Sequence, residues 1–173
     1  MIKKILKQNS GYTLLELLLY ISVSAVMLLA ISLTLSTFLE AKIKNQTVSE
    51  IDGEGTQVMQ LMTQTIRNAT AINSPALGTN DNALSLTVTD PAKSPTLLNL
   101  LGTEIEMTEG ANPSISLTNT LQSIASNLTF ENLSRVGTTG TIAISFTLSH
   151  INPSGRNEYN YSRTFYGSAT LRQ

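Results

Sequence analysis

Ser10-Gly11-Tyr12-Thr13-Leu14-Leu15-Glu16 is the stretch from which the fold can be read. On its N-terminal side lies a short basic leader with Lys3, Lys4 and Lys7 and no acid. On its C-terminal side an apolar run begins, and from Leu17 to Leu39 no residue is charged. At about 1.5 Å per residue a helix of that length crosses a hydrocarbon core of roughly 30 Å. Glu16 stands alone at the head of this run. A carboxylate in lipid costs a few kcal/mol and is normally retained for a partner. The sequence therefore predicts a helix that sits in a membrane and carries a charge in need of a counter-ion.

The alternatives leave that junction unexplained. A secretory signal is cleaved after its apolar core, which is short, whereas here the run is long and the glycine precedes it. A lipoprotein signal needs a cysteine, and the chain has none. A plain signal anchor explains the basic leader and the helix but not Gly11 followed by Glu16.

These residues resemble the start of the type IV prepilin family, which includes the type II secretion pseudopilins. The likeness covers about the first forty residues. It implies that a prepilin peptidase cleaves after Gly11 and N-methylates Tyr12, where the family commonly has phenylalanine. Glu16 then falls on the family's glutamate, five residues into the mature chain. The resemblance also implies a pilin-like α+β fold and partners of three kinds: other pilin subunits met through the N-terminal helix, the peptidase, and an assembly platform protein. Many major pilins have a proline in the membrane half of the helix, and this chain has none before Pro75. Retention of Glu16 is unlike the K-type pseudopilin. The length, the short strands and the closing Phe165–Arg172 segment look similar to J-type pseudopilins and W-type minor pilins. The implied function is that of a minor pilin or pseudopilin, and secretion, twitching, adhesion and DNA uptake all use the same N-terminal device. The competing class is a single-span surface adhesin or binding domain with an uncleaved leader.

Charge sets the expected orientation. Three lysines precede the run, whereas Lys42 and Lys44 beyond it are offset by Glu40. The positive-inside rule places the leader in the cytoplasm and the remainder outside. Loss of residues 1–11 removes three of eleven basic residues and none of twelve acids, changing the formal charge from −1 to −4. That balance offers no basic stripe for direct nucleic-acid binding.

Four segments follow: a leader (1–11), a membrane or filament-core helix (12–39), an amphipathic continuation (40–74) and a β-rich extracytoplasmic domain (75–173). In the continuation Val48, Ile51, Val58, Met62, Ile66 and Ala69 recur at helical spacing, with Leu61 beside them. Gly53 and Gly55 interrupt it, each disfavouring helix by about 1 kcal/mol, and predict a weak point or kink. After Pro75 the period becomes that of strands. Leu84, Leu86 and Val88 alternate with polar residues, and Ile105 with Met107, Ile115 with Leu117 and Leu128 with Phe130 make shorter pieces. Ile142, Ile144, Phe146 and Leu148 give the clearest strand. Its expected partner is Tyr159–Tyr166 across the turn Asn152-Pro153-Ser154-Gly155. Thr118–Asn127 is expected to form a short helix with Leu121, Ile124 and Ala125 inward. The fold class is α+β, a long N-terminal helix against an antiparallel sheet.

Chemistry is sparse. With one histidine, His150, and no cysteine, there is little material for a metal site or a nucleophilic triad, so no catalytic residue, metal or cofactor is assigned. Glu104, Glu106 and Glu109 read as a solvated strand edge, and Asn80-Asp81-Asn82 as a surface turn rather than a calcium loop. Five Asn-x-Ser/Thr triplets, at Asn45, Asn68, Asn127, Asn132 and Asn160, are what chance gives in a chain this rich in those residues.

Overall fold

A computed structural model describes residues 12–172. The leader and Gly11 lie outside the described residues. The chain divides into two compact units between Lys42 and Ile43.

One helix, α1 (Leu14–Arg67), runs through both. In the first unit it is long and apolar enough to span a membrane, and none of its most apolar window is buried. In the second unit the buried positions are Thr47, Ile51, Gly55, Val58, Met62 and Ile66. They recur at intervals of three and four residues and so form one stripe along the helix. Val48 and Leu61 flank the stripe, half-buried. The helix continues through Gly53 and Gly55, so neither glycine ends it. Gly55 is a point of close approach instead, because its missing side chain leaves room for the Phe165 ring.

The helix also stops earlier than its apolar spacing implies. It ends at Arg67, and Ala69–Ser74 forms strand β1 rather than a last pair of turns. Ala69 is fully buried as the expected stripe requires, but it pairs with Val88 in a sheet. Three residues of apolar period cannot distinguish the end of a helix from the start of a strand.

The remaining strands are β2 (Asn80–Asp81), β3 (Ala83–Val88), β4 (Thr96–Leu101), β5 (Glu104–Glu109), β6 (Ile115–Ser116), β7 (Ser123–Asn132), β8 (Thr141–His150) and β9 (Ser162–Thr170). They form two antiparallel sheets, of order β1-β3-β4-β5-β6 and β2-β7-β8-β9. The expected α+β arrangement is therefore present, with the sheet work shared between two sheets. Their inner faces and the helix stripe close one core. Met62 and Ile66 share one buried cluster with Leu84, Leu86, Leu98 and Ile105 from the first sheet, and Phe130, Ile142, Ile144, Phe146 and Leu148 from the second.

The β8–β9 pairing follows the alternation closely, with Phe146 opposite Phe165 and the two rings stacked at 5.3 Å. The strand begins at Ser162, because Asn157–Tyr159 forms a 3-10 turn. Asn152 organises the preceding turn: its side chain donates to the Arg156 carbonyl and accepts from the Arg156 amide.

The short helix expected over Thr118–Asn127 is absent. Only one turn is helical in its bonding, with Ser123 N donating to the Asn119 carbonyl. From Ser123 the chain pairs with β8, Ala125 opposite Leu148. Ala125 is buried, but Ile124 faces outward and Leu121 is 87% exposed. Backbone pairing with β8 engages Ser123–Ser126 and Thr129–Asn132 on either side of a bulge, and this outweighs a weak helical period over three side chains. β4 carried no readable alternation, since Leu97, Leu98, Leu100 and Leu101 put apolar groups on both faces.

Candidate functional site

The start of α1 is built by Thr13. Its hydroxyl accepts the Glu16 amide at 3.2 Å and its carbonyl accepts the Leu17 amide at 3.1 Å, so Thr13 caps the helix. The cap places Glu16 in the first turn, where the positive end of the helix dipole favours a carboxylate.

One turn on, Tyr20 donates its hydroxyl to Glu16 Oε1 at 3.0 Å. The Tyr20 ring meets that of Tyr12 edge-on, with centroids 6.4 Å apart. Tyr12 is largely exposed. Of the sequence-predicted residues, Tyr12 and Glu16 are thus gathered at one end of the helix through Tyr20, and Gly11 is outside the described residues. Glu16 finds no cation among the described residues. Its one side-chain donor leaves most of its acceptor capacity unfilled.

Sequence reasoning missed Thr13 and Tyr20. Thr13 stands three residues before Glu16, the spacing of a capping box, and Tyr20 four residues after it on the same helical face. Both signals were present in the sequence.

Beyond this end the helix shows lipid-compatible chemistry. Leu18, Val26, Leu28, Ile31 and Phe38 are all well exposed. Ser22, Thr34 and Thr37 return their hydroxyls to carbonyls of the preceding turn, at 2.8, 2.8 and 2.9 Å. Those donors therefore need nothing from outside the helix.

The other residues weighed for chemistry are dispersed. His150 closes β8, stacks on Tyr159 with centroids 5.5 Å apart, and stands 3.8 Å from a Glu50 oxygen. Nearby, Asp52 accepts from Tyr161 at 3.1 Å and from Arg163 at 2.6 Å. Lys44 donates to the Asn160 carbonyl at 2.6 Å. These contacts fasten the β8–β9 connection to the helix. Burial first, then the bond to Asp52, push the Tyr161 phenol above its ordinary range, and the same carboxylate raises Arg163. Glu109 pairs with Lys93 at 3.1 Å on β5. Asn80 and Asp81 form an exposed edge strand paired with β7 rather than a free turn. Among the described residues no three His, Asp or Glu side chains gather as metal ligands would.

No protein-family model, curated protein or solved structure matches this chain.

Proposed function

We propose that the chain is a minor pilin or pseudopilin, a structural subunit of a filament assembled from the membrane. The observation that carries this reading is the Thr13-capped helix start, which presents Glu16 at the head of an exposed apolar helix. In the proposed mechanism a prepilin peptidase removes residues 1–11 on the cytoplasmic side and methylates the amine of Tyr12, which stays cationic. That ammonium on one subunit pairs with Glu16 on a neighbour. Neither charge is stable alone among apolar helices, so each selects a partner at one axial displacement. Packing along Leu14–Leu39 adds attraction, and Ser24, Ala25, Ala30 and Ser32 allow helices to approach closely. Before assembly, the bond from Tyr20 lowers the cost of holding Glu16 in lipid.

The two-part chain supports the same reading. The helical stripe at Ile51–Ile66 is buried in the domain's own core, whereas the apolar side chains of residues 14–39 are left for other molecules. A platform protein and sibling subunits are the partners proposed for them. The chain has a structural rather than an enzymatic role in this reading.

The test is the intact mass of the protein recovered from its native membrane. A mature chain beginning at N-methylated Tyr12 is expected. A chain beginning at Met1 overturns the reading and leaves a membrane-anchored adhesin or binding domain.

A further inference from the structure

The three arginines at the end of the domain where α1 stops differ from the other cations of their unit. Lys93, Arg156 and Arg163 pair with Glu109, Glu158 and Asp52, and Lys44 is held by backbone carbonyls. Arg67, Arg135 and Arg172 have no acidic partner among the described residues, and all three are exposed. They lie along one continuous surface. Arg172 N donates to the Arg67 carbonyl at 3.0 Å, and Leu171 N donates to the Gly140 carbonyl at 2.8 Å. The end of the chain is thereby tied to the helix terminus on one side and to the loop before β8 on the other.

Two clefts flank this tie. One, of about 790 Å³, has Arg135 and Arg172 in its lining, with Asn73, Asn132 and residues 137–140. The second, of about 880 Å³, has Arg67 and Arg172. Neither lining includes an Asp or Glu, although acids outnumber bases by twelve to eight in residues 12–172. Glu131, the acid nearest Arg135 along the chain, and Asp81 belong to the β2–β7 pair outside both linings, and Glu54, nearest Arg67, is outside them too. The first cleft also has apolar walls that water meets directly, Leu77 at 54% and Val136 at 90% exposure.

We infer that this end of the domain is a docking surface for an acidic, aliphatic segment of a partner protein. Its carboxylates would take the unpaired guanidiniums and its aliphatic side chains would cover Leu77 and Val136. Arginine suits carboxylates because its fork offers two parallel donors. A nucleic acid fits less well. The linings hold no aromatic ring for base stacking, and the surplus of acid on this chain repels a long phosphate backbone. Part of Arg67 is accounted for otherwise, since a cation in the last turn offsets the helix dipole. Arg135 and Arg172 carry the proposal.

The full chain in neutral detergent micelles is titrated with a short fluorescein-labelled peptide of glutamate and leucine, and binding is followed by anisotropy. The expected result is saturable binding that weakens with salt. Arg135→Glu with Arg172→Glu should weaken it at least about tenfold, as reversal of two contacting charges does. Val136→Asp should weaken it while leaving those arginines in place. Lys93→Glu, at a cation that is already paired, should leave it unchanged. Because these side chains are exposed, unaltered thermal melting of each variant is expected and separates lost binding from lost fold. Equal affinity for the glutamine counterpart of the peptide, tighter binding of a duplex oligonucleotide, or insensitivity to the arginine reversals would overturn the proposal. None of these readouts depends on cleavage at Gly11 or on filament assembly.

Discussion

The Phe165 ring of β9 occupies the space that a side chain on Gly55 of α1 would need. The ring cannot readily yield, since it is buried and stacked on Phe146. Gly55→Ala should therefore destabilise the domain by about 1–3 kcal/mol through overpacking, despite the gain in helix propensity. Gly53, two residues away, faces open space. Gly53→Ala should stabilise by about 0.5–1 kcal/mol. Denaturant midpoints of the two variants should move in opposite directions, and a shift of the same sign in both would refute this account of the pair.

Glu54 makes the next contact along the helix. Its Oε1 accepts the Asn119 amide and the Ser123 hydroxyl, each at 2.7 Å. Ser123 is fully buried, so its hydroxyl has little access to replacement water. Glu54→Ala should cost about 1–3 kcal/mol, the worth of hydrogen bonds to a charged group, although the Ser123 hydroxyl keeps the Asn119 carbonyl as a second acceptor at 3.2 Å. Glu54→Gln, whose amide oxygen can still accept, should recover part of that loss. Faster hydrogen exchange at the Asn119 amide is expected in the alanine variant. Unchanged exchange there would mean that the contact does not hold the turn before β7.

How far the sequence could be read tracks the kind of signal each element carried. β8 and β3 were legible because alternation over six or more residues has no helical equivalent, and Leu84, Leu86, Ile142, Phe146 and Leu148 are all fully buried. The boundary at Arg67 was not, because Ala69 serves a helix stripe and a strand face equally well. Ser123–Asn127 was misread for a related reason: its position is decided by the available backbone of β8, a long-range partner invisible to local periodicity. At the helix start, Tyr12 and Glu16 could be read from spacing along a single helix. The arginine surface could not, since it joins residues 67, 135 and 172 only after the sheets have closed.

The group formed by Tyr161, Asp52 and Arg163 predicts an alkaline dependence of stability. Burial, and then the bond to Asp52, raise Tyr161 above the ordinary tyrosine value of 10.0, with Arg163 opposing more weakly. The folded chain thus holds the phenolic proton more tightly than the unfolded chain does. This stabilisation is complete below about pH 10 and is lost as pH rises through the folded value. Tyr161→Phe removes the titrating group and keeps the ring. Its stability should fall less steeply than that of the wild type above about pH 10, measured by urea unfolding at a series of pH values. Parallel curves would show that Tyr161 contributes nothing to the alkaline limb.

The sharpest prediction concerns the bond from Tyr20 to Glu16. On the proposed assembly mechanism the essential property of Glu16 is its charge, whereas Tyr20 only eases its stay in lipid before a neighbour arrives. Glu16→Ala should leave removal of residues 1–11 intact, because the cleavage point is set by Gly11, yet block incorporation into filaments. Tyr20→Phe retains the carboxylate, the ring and its contact with Tyr12, and loses a hydrogen bond of about 0.5–1.5 kcal/mol. Incorporation should persist in that variant at a modestly lower yield. Quantifying the mature chain in sheared filaments and in membranes distinguishes the two steps. If Glu16→Ala enters filaments normally, the ammonium pairing is refuted, whatever happens to Tyr20. If Tyr20→Phe fails as completely as Glu16→Ala, the hydroxyl itself belongs to the contact between subunits. The pairing would then have to be redrawn around the Tyr20–Glu16 unit rather than around the carboxylate alone.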